Sequence, residues 1–266
     1  MMTRDILTRM TQVMKLNNGV EIPVVGLGTS QMKTPAETVE VIKTALNVGY
    51  RLIDTATMYG NEEPVGQGIR ESGIPREEIT VTTKLWPDDF GDPKAAFAAS
   101  LERLGLDYVD IYLVHWPRGY TPSVWYALEG FVKDGCAKTI GISNFSIEQT
   151  EVLLGYCEIP PALNQVQFNP FCYDAALLEY AKSKHIVLEA YRPLTRGERI
   201  GDESVAALAK KYGKSSAQIL IRWNLEHGVV AIPKSTHVER LKENLDVFDF
   251  SLSAEDMRVL DALSDI

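Results

Sequence analysis

Eight short apolar runs, each followed by a stretch with helical spacing, constrain this chain more than any other feature of its sequence. The runs cover residues 24–28, 50–54, 80–84, 110–115, 137–143, 163–168, 187–190 and 229–233. The helical stretches cover 35–47, 62–72, 93–104, 124–134, 146–157, 175–185, 203–226 and 237–244. In the first of these, Val39, Ile42 and Leu46 share one helical face, and Gly49 stands just past the end, where a left-handed cap is expected. Strands with continuous apolar cores suit a parallel sheet covered by helices. Eight such units close most economically into an α/β fold of the (β/α)8 TIM-barrel type. An open doubly wound sheet is the rival, and it usually carries Gly-x-Gly-x-x-Gly after its first strand. The chain has no such turn. Gly66-Gln67-Gly68 falls inside an expected helix and reads as packing.

Elements outside the eight units frame the barrel. Asn17-Asn18-Gly19 between two short apolar segments predicts an N-terminal β-hairpin, because Asn and Gly tolerate the positive φ of its turn. Residues 253–263 predict an extra C-terminal helix with Ser253 as its N-cap. No low-complexity tract, charge block or Pro/Ser-rich linker divides the chain. Residues 1–13 therefore read as an N-terminal extension, helical or frayed to about Thr11, and 14–266 as a single domain.

At 266 residues, length alone does not choose between one domain and two. A formal net charge of −9 argues against nucleic acid and anionic membranes as partners, since both reward basic patches. Cys136, Cys157 and Cys172 are widely spaced and odd in number, which suits reduced intracellular thiols. No apolar stretch approaches the roughly 20 residues of a membrane helix. The charged N-terminus lacks a secretory apolar core. A cytoplasmic protein is expected, with monomer and dimer both left open.

Chemistry in such barrels sits at the carboxyl ends of the strands. The second strand ends in Asp54, with Tyr59 in the loop beyond it; the third ends in Lys84 and the fourth in His115. Singly, each has an ordinary explanation: a turn acid, a packing phenol, a solvated cation. Lys84, however, falls in an apolar strand end, where an unpaired ammonium is costly, and Asp54 on the neighbouring strand is its natural partner.

These segments resemble the aldo-keto reductase family. The match rests on Leu52-Ile53-Asp54-Thr55-Ala56 with Tyr59-Gly60-Asn61-Glu62, on Thr83-Lys84-Leu85-Trp86, and on Leu113-Val114-His115-Trp116-Pro117. It continues through Gly141-Ile142-Ser143-Asn144-Phe145, Asn164-Gln165-Val166-Gln167, Ala190-Tyr191 with Pro193-Leu194, and Ile232-Pro233-Lys234-Ser235. Within the family the chain is similar to the short bacterial reductases, including the 2,5-diketo-gluconate reductase branch.

The resemblance implies NADPH-dependent reduction of small aldehydes and ketones by a tetrad of Asp54, Tyr59, Lys84 and His115, with no metal. Tyr59 would protonate the carbonyl oxygen as hydride arrives at its carbon. A free phenol titrates near 10, so Lys84 is expected to lower that value, with Asp54 fixing the ammonium and His115 orienting the carbonyl. Ser143, Asn144 and Gln165 match residues that hold the nicotinamide carboxamide, and Tyr191 the aromatic that stacks on its ring. Pro193 and Leu194 belong to the same cofactor motif. Lys234, Ser235 and Arg240 match the 2′-phosphate group, which favours NADPH over NADH; Glu243 and Asn244 match adenine contacts. Trp86, Trp116 and Met58 are candidates for the substrate-pocket wall.

The chain departs from the family pattern in places. Arg192 replaces the usual Ser after the stacking aromatic, Gln167-Phe168-Asn169 replaces a common acid–aromatic–His run, and the 116–125 loop is short. Two other readings stay open: a cofactor-binding module with negligible turnover, and a barrel aldolase using Lys84 as a Schiff-base amine.

Overall fold

A computed structural model describes residues 12–264. The expected extension over 1–11 lies outside the described residues. The hairpin pairs β1 (Val13–Lys15) with β2 (Glu21–Pro23) in antiparallel register. Gly19 takes φ +86° at its turn. The Asn17 side-chain amide donates to Pro161 O at 3.0 Å and that of Asn18 to Thr139 Oγ1 at 3.0 Å. The hairpin is thereby tied across the amino-terminal end of the main sheet, away from the strand ends where chemistry is expected.

The sheet itself consists of β3 (Leu27–Gly28), β4 (Leu52–Asp54), β5 (Thr80–Leu85), β6 (Val109–Val114), β7 (Ala137–Ser143), β8 (Leu163–Gln167), β9 (Val187–Tyr191) and β10 (Val230–Ala231). All neighbours are parallel and follow chain order. A parallel bridge between Val25 and Ala231 joins the last strand to the first. Ala231 N donates to Val24 O and Gly26 N to Ala231 O, both at 2.9 Å. The sheet is therefore a closed eight-stranded barrel.

Ten α-helices cover it among the described residues: α1 (Pro35–Val48), α2 (Glu62–Glu71), α3 (Pro93–Leu104), α4 (Pro122–Lys133), α5 (Ile147–Leu154), α6 (Ala175–Ser183), α7 (Glu203–Tyr212), α8 (Ser216–Glu226), α9 (Val238–Leu245) and α10 (Ala254–Asp261). In α1 the cause of each feature is visible. Thr34 caps the start, Pro35 sits where no amide hydrogen is needed, and Gly49 ends the helix at φ +119°. Its Ile42 and Leu46 are fully buried, each such side chain contributing about 1.5–3 kcal/mol. Gly66 and Gly68 let α2 approach closely: a Cβ on Gly66 would lie 1.8 Å from Leu104 O, and one on Gly68 2.7 Å from Ile42 Cβ.

Three expected elements differ. The stretch 203–226 is two helices, broken where Gly213 turns left-handed at φ +64° and Ser215 begins a capping box with Gln218. The first strand is regular only over Leu27–Gly28, and the last only over Val230–Ala231. Both lie where the barrel closes, and there the single bridge between Val25 and Ala231 completes the ring.

Candidate active site

Tyr59 reaches the barrel mouth on one 3-10 turn, Thr57–Tyr59, that is held from several sides. Gly60 reverses the chain at φ +64°. Thr57 Oγ1 donates to Lys84 O at 3.1 Å, Thr55 Oγ1 to Asn61 Oδ1 at 2.7 Å, and Asn61 Nδ2 to Thr29 O at 2.9 Å. Glu62, buried at the start of α2, accepts from Thr83 Oγ1 at 2.5 Å and pairs with Arg103. The Tyr59-Gly60-Asn61-Glu62 run thus pins the phenol against β5.

Lys84 lies fully buried beneath it. Its ammonium donates to Asp54 Oδ1 at 2.8 Å, to Asp54 Oδ2 at 2.7 Å, to Thr55 O at 2.8 Å, and to Tyr59 Oη at 3.4 Å. Burial alone would lower its pKa, but the Asp54 charge and its hydrogen bonds work against burial, and the net direction is upward. An amine held charged by Asp54 is poorly placed to serve as a Schiff-base nucleophile, which requires the neutral form.

His115 meets both Tyr59 and Trp86 edge-on, with ring centroids 5.7 and 5.2 Å away. Its Nδ1 is buried without a partner. Burial, helped by the Lys84 charge, lowers its pKa to about 3, so the ring is neutral. The phenol behaves differently from expectation. Burial raises the Tyr59 pKa, and the opposing Lys84 charge does not cancel that effect, while Asp54 adds to it. Lys84 does lower the value, as expected, but the net direction is upward, so the resting phenol is a protonated donor.

From Tyr59 and His115 a cavity of about 910 Å³ runs along the seam between the first and last strands. Ser143, Asn144, Gln165 and Tyr191 line it. They are bonded to one another: Ser143 Oγ donates to Gln165 O at 2.7 Å, Asn144 Nδ2 to Ser143 Oγ at 3.0 Å, and Tyr191 Oη to Asn144 Oδ1 at 2.9 Å. Asn144 takes φ +62°, a conformation that Asn accepts more readily than most residues. Pro193, Leu194, Lys234, Ser235, Arg240, Glu243 and Asn244 line the same cavity.

Sequence reasoning missed several lining residues. Arg196, His237 and the Ser215-Ser216-Ala217 start of α8 border the same cavity. No motif announced them, because loop and helix start meet only in the folded chain. Glu189, fully buried beside Gln165, was also missed; an acid in the apolar run 187–190 was its only signal. Arg192 lines the cavity with its guanidinium 6.0 Å from the Tyr191 ring centroid. Of the proposed pocket walls, Trp116 lines the cavity. Trp86 instead packs on His115, and Met58 is 59% exposed on the outer side of its turn. Neither borders the cavity.

The donor set fits an elongated anionic cofactor. Lys234, Arg240 and Arg196 bring cations to the cavity lining, and Ser143, Asn144 and Gln165 bring hydroxyl and amide groups. A Cβ on Gly28 would lie 2.9 Å from Ile232 O, so this lining has no room for a larger residue. Among the described residues no group of three His, Cys, Asp or Glu could hold a metal, and no helix is long and apolar enough to cross a membrane. Barrel and cleft together define a site whose lining can protonate an oxygen and hold an anionic ligand.

The chain belongs to the aldo/keto reductase family, whose profile matches residues 24–265. It is 48% identical over 260 residues to a glyoxal reductase of Bacillus subtilis (strain 168), covering 97% of this chain and 94% of that protein. The uncharacterized oxidoreductase YtbE of the same organism is 47% identical over 257 residues, covering 94% of this chain and 92% of that protein. Among solved structures, an aldo/keto reductase from Brucella melitensis has a TM-score of 0.90 at 40% identity, covering 95% of this chain and 99% of its own. A Bombyx mori aldo-keto reductase in complex with NADP has a TM-score of 0.90 at 36% identity, covering 96% and 93%. The chain is thus an oxidoreductase of a carbonyl-reducing family.

Proposed function

We propose that this chain reduces small aldehydes and ketones, glyoxal-type dicarbonyls among them, with NADPH, and that Tyr59 is the proton donor. One observation carries the reading: the Tyr59 hydroxyl, the charged Lys84 ammonium and the neutral His115 ring converge at a cleft that Arg192, Arg196, Lys234 and Arg240 also line. The name of the Bacillus subtilis relative supports the substrate class, and the NADP complex of the Bombyx mori neighbour supports the cofactor.

When bound, a reduced nicotinamide dinucleotide supplies the hydride. The chain's own residues do the rest. His115, being neutral, can donate one hydrogen bond to the carbonyl oxygen and set its angle. Tyr59 gives its proton to that oxygen as negative charge develops there, and Lys84 steadies the phenolate left behind. Asp54 keeps Lys84 charged and in place. Trp116, which lines the cavity, would shield the carbonyl partly from water. Lys234, Ser235 and Arg240 would hold the 2′-phosphate, and Tyr191 would support the ring.

A panel of small aldehydes, dicarbonyls and ketones, each assayed with NADPH and with NADH, tests this. Substrate-dependent loss of NADPH absorbance, weaker with NADH, is expected. NADPH binding without turnover on any carbonyl would favour a binding module instead. Equal use of NADH would remove the 2′-phosphate assignment.

A further inference from the structure

Glu189 is a buried acid to which the chemistry above gives no role. It stands on β9 as the register partner of Gln165 on β8, so both side chains enter the barrel interior at one level. Its partner on the other side, Val230 of β10, is apolar. The Gln165 amide nitrogen donates to Glu189 Oε1 at 2.5 Å and to Asp54 Oδ2 at 2.8 Å. Glu189 Oε2 is buried and unpartnered.

These contacts determine which way the Gln165 amide faces. Asp54, with both oxygens on Lys84, is ionised and can only accept. The Gln165 atom facing it must therefore be the nitrogen. An amide nitrogen carries two hydrogens, and the two acids take both. The carbonyl oxygen has no hydrogen bond among the described residues, and Gln165 borders the cavity.

Charge balance sets the state of Glu189. Asp54 and Lys84 neutralise one another, so a second carboxylate would add an unpaired buried charge. Burial first, and then the Asp54 charge, hold its carboxyl well above the usual range; the Gln165 hydrogen bond and Lys84 pull the other way without cancelling them. Tyr59, the remaining titratable group of the cluster, stays protonated as well.

We propose that Glu189, as a neutral acid, is a positioning residue that shares the two Gln165 amide hydrogens with Asp54 and so presents the Gln165 carbonyl oxygen to the cavity, as acceptor for a primary carboxamide on the cofactor. This role presupposes the nicotinamide assignment made above. It makes the site selective for a carboxamide N–H over a group of the same shape that lacks one. Glu189→Met removes the acceptor and frees the amide to turn. Glu189→Gln keeps an acceptor in the same place.

Protein-fluorescence quenching without substrate provides the test. It compares NADPH with the reduced 3-acetylpyridine analogue, in which a methyl replaces the carboxamide nitrogen. The wild type should prefer NADPH by up to roughly tenfold, the worth of one hydrogen bond. Glu189→Met should lose that preference and Glu189→Gln should retain it. A preference that survives in Glu189→Met, or is missing from the wild type, overturns the role; a wild type that binds neither cofactor overturns the nicotinamide assignment instead. Infrared spectra of the ligand-free protein give a second readout that does not require Glu189→Met to fold. The carbonyl stretch of a protonated carboxyl should be present at neutral pH and vanish in Glu189→Gln. Its absence from the wild type overturns the neutral acid.

Discussion

The Lys84 ammonium lies 3.4 Å from the Tyr59 hydroxyl, while its three shorter contacts, at 2.7 to 2.8 Å, go to Asp54 and Thr55. In the resting state it is held by its acid and only lightly bonded to the phenol. A phenolate would draw a stronger, charge-assisted hydrogen bond. The pair therefore favours the product of proton transfer over the reactant, which is the condition for lowering a barrier. Tyr59→Phe should reduce kcat for aldehydes by at least about a hundredfold while NADPH affinity persists. Steady-state kinetics beside fluorescence titration check this, and full turnover in the variant would assign the proton to another group.

Removing the cation should cost more than activity. Lys84→Met leaves Asp54 buried beside an apolar chain, and breaking such a pair typically costs about 3–5 kcal/mol. Adding Asp54→Asn should restore much of the stability, because no buried charge then remains, but none of the activity. Urea denaturation of the three proteins measures it. A double variant no more stable than Lys84→Met would mean that the loss comes from packing.

His115 predicts a missing feature in the pH profile. With its pKa lowered to about 3 by burial and then by Lys84, the ring stays neutral over the working range. From about pH 5 to 8, kcat/KM should show no step near the ordinary histidine value of about 6.5. Stability behaves differently. Between those two pKa values the unfolded chain binds more protons than the folded one, so stability rises with pH. The contribution is complete above about 6.5 and is lost as pH falls toward the folded value. His115→Phe should flatten that part of a denaturation-versus-pH curve. A kinetic step near 6.5 that disappears in this variant would show a protonating imidazole.

Two glycines in helices should respond in opposite senses to the same methyl group. Gly66 has Leu104 O in the way, at 1.8 Å from an added Cβ. Gly66→Ala should destabilise by about 1–3 kcal/mol, as overpacking does. Gly130, inside α4, has nothing within 4 Å of the added atom. Gly130→Ala should stabilise by roughly 0.5–1 kcal/mol through helix propensity alone. Thermal melts decide the matter, and two shifts of the same sign would contradict this account of helix approach.

Much of this was legible in the residues. Asp54, Lys84 and His115 could be found because a parallel barrel brings its strand ends to one rim, and Lys84 needed an acid nearby. The cofactor-side residues came from motif resemblance, and the folded chain gathers them along one cleft. Other features depend on quantities that only the folded chain has. The direction of the Tyr59 shift is set by burial, which outweighs an ammonium 3.4 Å away. Glu189 looked like an isolated polar residue in an apolar strand until the register placed it opposite Gln165. The break between α7 and α8 was written in Gly213 and in the Ser215–Gln218 capping box, but the apolar period runs through it and masks the turn. Met58 shares a turn with Tyr59, yet that turn sends it outward.

The joint between Val25 and Ala231 has a consequence of its own. It is the shortest pairing in the ring, and the cleft lies against it, with Gly28 on one bank and Ile232 to Lys234 on the other. A ligand seated there would act as a clasp between the first and last strands of the barrel. Its affinity would add directly to the resistance of the ring to opening. Holding a guest and staying round would then be one property, and amide exchange at this joint would slow as the guest arrives.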